Sequence, residues 1–171
     1  EEVCDSIDND CDCLVDEGLL CCPEDMVNVE GLFCIDRYEA SRPDASGSSS
    51  GSDESRSMSV SAVLPWSVSN DGAGLATARD ACAAAGKRLC TTDEWFQACH
   101  GPDDTTYSYG DDYDPAICNG IDTHCEVPYT GCGHDDYLDG IYHFHVEPTG
   151  AFPDCTNEYG VFDINGNLWE F

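Results

Sequence analysis

Gly86-Lys87-Arg88-Leu89-Cys90-Thr91-Thr92-Asp93-Glu94-Trp95, running on to Ala98-Cys99, and Asn157-Glu158-Tyr159-Gly160-Val161-Phe162-Asp163-Ile164-Asn165-Gly166-Asn167-Leu168-Trp169-Glu170-Phe171 are the stretches on which the fold turns. The first reads as a helix stop followed by a helix start. Before it, Ala stands at 76, 78, 81, 83, 84 and 85, a strongly helix-forming run. Gly86 fits the position just past that helix. Thr91 or Thr92 then suits the N-cap of a second helix, with Asp93 and Glu94 in the dipole-favoured first turn. Trp95, Phe96 and Cys99 fall close to one face of it. Beyond Gly101 the chain is rich in Gly, Asp, Tyr and Pro, which predicts long irregular loops with short strands and no further long helix.

Upstream, Met26 to Asp36 alternates partly at period two and reads as a strand pair turning at Glu30-Gly31. Residues 43–57 form a Ser/Gly-rich stretch with no core-forming residue, expected to be a mobile insertion and a possible O-glycosylation site. No period of 20–50 residues recurs, so a solenoid is excluded.

The length of 171 residues suits one domain with a short appendage. No apolar run approaches the ~18 residues that cross a bilayer. The first residue is Glu, so the chain is expected to be a mature or trimmed product. The formal net charge is −29, and all six basic residues lie between Arg37 and Arg88. Nucleic acid and anionic membrane are therefore unsuitable partners, because phosphates need cationic neutralisation. Divalent cations are the natural remedy for such self-repulsion. Thirteen cysteines point to disulfides in an oxidising compartment, hence an extracellular or cell-surface location. No CxxC…CxxC framework supports structural zinc. The odd count leaves at least one cysteine free, paired between chains, or paired with a segment outside this sequence.

Residues 1–25 hold ten carboxylates, five cysteines and no basic residue. A piece so poor in apolar residues must be held by metal and disulfide. Asp8, Asp10 and Asp12 alternate, and Asp16 and Glu17 follow after a gap. Such a loop turns alternate side chains inward onto a hard cation, as in DxDxDG calcium loops. The EF-hand pattern fails at Cys13, where Gly belongs, and at Leu19, where a bidentate Glu belongs. The alternative is a solvated acidic tail.

The string from Glu2 to Asp12, with Val15-Asp16-Glu17, resembles a short metal-binding repeat of secreted bacterial proteins, ExCDGxDNDCDGxVDE, with Ser6 and Cys13 where that repeat has Gly. The resemblance implies a Cys4–Cys11 bridge, Asp8, Asp10, Asp12 and Asp16 as ligands, and a bacterial source. The two opening stretches resemble the hallmark strings of the formylglycine-generating enzyme (sulfatase-modifying factor) family, GKRLPTEAEW and NxYGLYDMxGNVWEW. The segment Met26-Val27-Asn28-Val29 with Phe33 to Glu39, then Pro65-Trp66, Tyr107 to Gly110, Cys118-Asn119 and Pro148 to Pro153, follow the family's order. The resemblance covers residues 23–171 and leaves 1–22 as a separate acidic, Cys-rich, calcium-binding motif. It implies a loop-rich, disulfide-rich α+β domain of the C-type-lectin-like type, with two short helices and short strands. It also implies two or more Ca²⁺ ions. One would be held by the side chains of Asp163 and Glu170 and the backbone carbonyls of Gly166 and Leu168, with Asp163 standing where the family has Asn. The other would involve Asn119 and the backbone near Ile121, with a carboxylate from Asp135 to Asp139.

Trp95, Trp169, Tyr159 and Phe162 are expected to pack in the core. Arg37 is expected to pair with Glu39, Glu94 or Glu170. His143 and His145 on one strand face could bind Zn²⁺ or Cu²⁺, though no third ligand is near in sequence. In the family, copper-assisted oxidation occurs at a cysteine pair beyond the WEW string, and no residue here matches that pair. The expectation is therefore a non-catalytic, secreted, calcium- and disulfide-stabilised binding or assembly domain. It would self-associate or bind another extracellular protein, and could form a multimer or filament by donating a segment to an uncovered end. The alternatives are a fragment of a copper-dependent formylglycine-generating-type oxidase, and a lectin-like protein with a glycan ligand.

Overall fold

The computed structural model describes residues 4, 20–69, 71–125, 136–138, 141–143 and 145–168, with the backbone alone at 136–138 and 141–143. A hairpin opens the domain. Strand β1 (Met26–Val29) pairs antiparallel with β2 (Phe33–Asp36), Val27 opposite Ile35. Glu30 and Gly31, at φ 53° and 73°, are the left-handed central pair of a turn that Leu32 N closes by donating to Val29 O at 2.9 Å, and Leu32 completes a three-residue connection. The period-two pattern sends Val27, Val29 and Ile35 inward.

Two-residue strands β3 (Ala40–Ser41) and β4 (Met58–Ser59) then pair, bracketing the Ser/Gly-rich stretch. That stretch is not the open insertion its composition suggests. The Asp44 carboxylate accepts from Ser52 N and Asp53 N, each at 2.9 Å, and Arg42 Nη2 donates to Glu54 Oε1 at 3.0 Å. The Arg42 guanidinium lies 4.6 Å over the Trp66 ring. Backbone donors gathered on one carboxylate fold the segment without any large apolar side chain of its own.

Helix α1 (Gly72–Ala84) is capped by Asp71, whose side chain accepts from Ala73 N and Gly74 N. Gly86 follows its end at φ 74°. Helix α2 (Thr92–His100) starts as its sequence predicts, with Thr91 and Glu94 forming a reciprocal capping box. A third short helix, α3 (Ile121–His124), lies beyond the two expected. Strands β5 (Asp136–Leu138) and β6 (Ile141–His143) form a last antiparallel pair.

The core is small: Val27, Val29, Ile35, Ala98, Cys99, Val161 and Ile164, with Phe33, Cys90, Trp95 and Tyr159 packed against it. Phe162 stacks on Tyr38 at 5.0 Å. Phe96 departs from expectation, being 54% exposed and stacked on His100 instead. Polar linkage supplements this core. Lys87 Nζ reaches Asp25 and Asp36 at 2.6 Å each and ties the end of α1 to the hairpin. Burial works against the Lys87 charge, yet its two carboxylate partners hold its pKa above the ordinary value. Glu94, expected as a partner of Arg37, pairs with Arg88 at 2.5 Å.

Disulfides join Cys4 to Cys21, Cys22 to Cys34 and Cys118 to Cys155, and Cys125 is also disulfide-bonded. The Cys4–Cys11 bridge implied by the repeat is not formed, since Cys4 takes Cys21. The two bridges at 21 and 22 tie the acidic segment to the hairpin, a long-range constraint that cysteine spacing does not encode. No helix among the described residues is long and apolar enough to cross a membrane.

Candidate metal centre

The Cys118–Cys155 disulfide brings two irregular segments together, 118–121 and 155–168. Asp163 N donates to Cys155 O at 3.1 Å, which places the Asp163 turn beside that bridge. Asp163 adopts φ 58° and is only 4% exposed. Its Oδ2 accepts from Gly150 N at 2.6 Å. Burial pushes its carboxyl up to about 6, against the opposing pull of that N–H. A buried carboxylate with so little compensation is costly, and a hard divalent cation beside it would remove the cost.

Gly166 lies at φ 95°, and a Cβ there would come within 2.4 Å of Asn119 O. Only glycine allows that approach. Next to it, Asn167 N donates to Asn119 O at 2.8 Å, and Asn119 Nδ2 donates to Asn167 Oδ1 at 2.8 Å. Two stretches assigned to separate ions from the sequence are thus in contact. Asn119 Oδ1 is 2.7 Å from His124 Nε2, so its side-chain oxygen is already engaged. Ile121 opens α3 and is 46% exposed. Leu168 N donates to Glu39 Oε1 at 3.0 Å, and Asn167 Nδ2 donates to Glu39 Oε2 at 2.5 Å.

Asp8, Asp10, Asp12, Asp16 and Glu170 lie outside the described residues, as do Trp169, Asp135 and Asp139. His145 leaves the strand line that would have placed it beside His143: β6 ends at His143, and His145 has φ 48°. Its ring stacks on His124 at 4.2 Å. Among the described residues, no three His, Cys, Asp or Glu side chains converge as a metal cluster. A cation beside Asp163 would thus need backbone carbonyls as well as carboxylate, a donor set that suits Ca²⁺ better than Zn²⁺.

Several residues shape this region in ways the sequence did not suggest. Glu39, expected as a partner of Arg37, fixes Asn167 and Leu168 from 128 and 129 positions away. Gly150 supplies the N–H to Asp163. His124 fixes Asn119. The Asn-Gly-Asn run at 165–167 was the available signal, since asparagines in tight turns commonly staple the backbone.

Residues 76–171 match the family described as "Sulfatase-modifying factor enzyme 1-like domain". A bovine relative called "Inactive C-alpha-formylglycine-generating enzyme 2" is 38% identical over 96 residues, 55% of this chain and 29% of its own length. A "Formylglycine-generating enzyme" from Mycobacterium tuberculosis is 33% identical over 88 residues, covering 51% of this chain and 27% of its own. The bovine "Formylglycine-generating enzyme" is 33% identical over 97 residues, 53% of this chain and 22% of its own. The matched region therefore spans less than a third of each relative. No solved structure matches the chain.

Proposed function

The chain belongs to the sulfatase-modifying factor family, and from that premise we propose that it forms a calcium- and disulfide-braced scaffold used for binding or assembly in an oxidising, extracellular setting. Asp163 carries this reading: a buried carboxylate, raised to about 6, that accepts from Gly150 N within a loop of left-handed turns. Asp163 and the carbonyls of Gly166 and Leu168 would hold Ca²⁺, joined by Glu170 as the resemblance implies. The cation would neutralise Asp163 and lock the loop. A second ion would bind the leading Asp8, Asp10, Asp12 and Asp16. The disulfides support the oxidising setting. The partner would be another extracellular protein or a second copy of the chain. Calcium calorimetry tests the site. Wild type should take up calcium, and Asp163→Ala should lose one site. Identical isotherms would remove the proposal.

A second reading has its own support. Two relatives are named formylglycine-generating enzymes, so this stretch would be the scaffold of a longer oxidase whose catalytic cysteines lie elsewhere in its sequence. The relative named inactive favours the first reading. Conversion of a cysteine-containing sulfatase peptide by the full gene product would decide for the enzyme, and no conversion in the presence of copper and oxygen would decide for the scaffold.

A further inference from the structure

We propose that Asn165 is a self-modifying residue: its side-chain amide closes on the Gly166 nitrogen, loses ammonia and, after hydrolysis, leaves a carboxylate in the turn that carries Asp163. The chain has two Asn-Gly pairs, Asn119-Gly120 and Asn165-Gly166. In such a pair a five-membered imide can form, because the nitrogen after asparagine lies within reach of its Cγ and glycine puts no side chain in the way. The fold treats the two pairs differently. The Gly166 N–H, the nucleophile at the second pair, has no hydrogen-bond partner among the described residues. Gly166 is exposed, so water reaches it to take the proton. Asn165 Oδ1 accepts from Ser108 N at 2.7 Å. That donor faces the oxygen on which negative charge builds as the nitrogen attacks, as an oxyanion hole does. Asn165 Nδ2, the leaving nitrogen, is held by a single 3.7 Å contact to Cys99 Sγ among the described residues.

Asn119 is locked at each of these points. It is only 6% exposed. Gly120 N is engaged by Cys118 O at 2.9 Å and by Thr123 Oγ1 at 3.1 Å. Asn119 Nδ2 donates to His145 O at 2.5 Å and to Asn167 Oδ1 at 2.8 Å. Turning that amide onto Gly120 N would break several buried hydrogen bonds at once. At Asn165 the step needs no such loss. The Gly166 nitrogen gives its proton to water and bonds to Asn165 Cγ. The Cγ–Nδ2 bond breaks, and the nitrogen leaves as ammonia with a proton returned by water. Water then opens the imide at Cγ to give aspartate, or at the main-chain carbonyl to give isoaspartate. No oxidant, metal or partner protein takes part. Either product adds one negative charge two positions from Asp163, and the aspartate keeps an acceptor for Ser108 N.

The test holds the whole, disulfide-bonded chain at physiological pH and temperature in water enriched in heavy oxygen, and maps its peptides by mass spectrometry at intervals. A reduced, denatured sample runs beside it. In the folded chain Asn165 should exchange its amide for a heavy-oxygen acid on the order of tenfold or more ahead of Asn119. In the denatured chain the two should convert alike, since the same dipeptide then stands in the same surroundings. Asn165→Gln should abolish the conversion at this position, because its longer side chain closes a six-membered ring far less readily. Three outcomes would overturn the proposal: Asn165 left intact in the folded chain while the denatured chain converts, Asn119 keeping pace with Asn165 in the folded chain, or undiminished conversion at this position in Asn165→Gln.

Discussion

Asp163 Oδ2 accepts from Gly150 N at 2.6 Å in a setting that lifts its carboxyl to about 6 from an ordinary 3.8. The sign of the consequence follows from that direction. In metal-free protein the folded state holds this proton more tightly than the unfolded chain does. Its stabilising effect is present below about pH 4 and is lost as pH rises through about 6. Asp163→Asn keeps an acceptor for Gly150 and removes the charge. In chelator, denaturant unfolding should find this variant equal to wild type near pH 4. Above pH 6 it should be more stable, by up to the order of 3 kcal/mol. A variant less stable than wild type at every pH would contradict the burial argument. Gly166 is the second sensitive position. Alanine there combines an unfavourable φ of 95° with a 2.4 Å approach to Asn119 O. Gly166→Ala should cost roughly 1–3 kcal/mol and weaken calcium binding in the same protein.

At the scale of elements, the helices were legible because their signals are local. Thr91, Asp93 and Glu94 sit within four residues and specify the start of α2 by themselves. The Ala-rich run and Gly86 mark the body and the stop of α1, whereas its start at Gly72 behind the Asp71 cap was not read. The Met26–Asp36 hairpin was legible from its alternation and its Glu30-Gly31 turn. What could not be read were links across the chain: Glu39 with Asn167, Cys4 with Cys21, the stacking of His124 on His145. No spacing rule encodes those, since each depends on where loops return. The order in the Ser-rich stretch was hidden for a related reason, because two charged residues, Arg42 and Asp44, organise it and its composition gives no hint. Two predictions belong here. Glu94 is held down to about 2 by Arg88 first and by the Thr91 N–H next. Its support of α2 is complete above about pH 4.5 and is lost as pH falls through 2. Glu94→Ala should cost about 1 kcal/mol at neutral pH, and the difference from wild type should vanish in strong acid. The Cys118–Cys155 bridge closes a separation of 37 residues and strings the two halves of the candidate metal centre together. Replacing both cysteines with serine should cost about 2–5 kcal/mol and lower calcium affinity, read by unfolding and calorimetry on one preparation.

For the molecule as a whole, a small apolar core and a net charge of −29 have to be reconciled. Disulfides and polar staples do part of this, and bound cations would do the rest by offsetting carboxylate repulsion. The family could be read from two strings of sequence, since their residues lie close together along the chain. Of the candidate ligands, Asp163, Gly166 and Asn119 fall in one region, a proximity that no spacing encodes, and the side-chain oxygen of Asn119 faces His124. The most direct measurement is a thermal melt of the whole chain in millimolar calcium and again in excess chelator. The account predicts a fall in melting temperature on the order of 10 °C on chelation, restored by calcium and reduced in Asp163→Ala. Coincident melting curves in calcium and in chelator would contradict it.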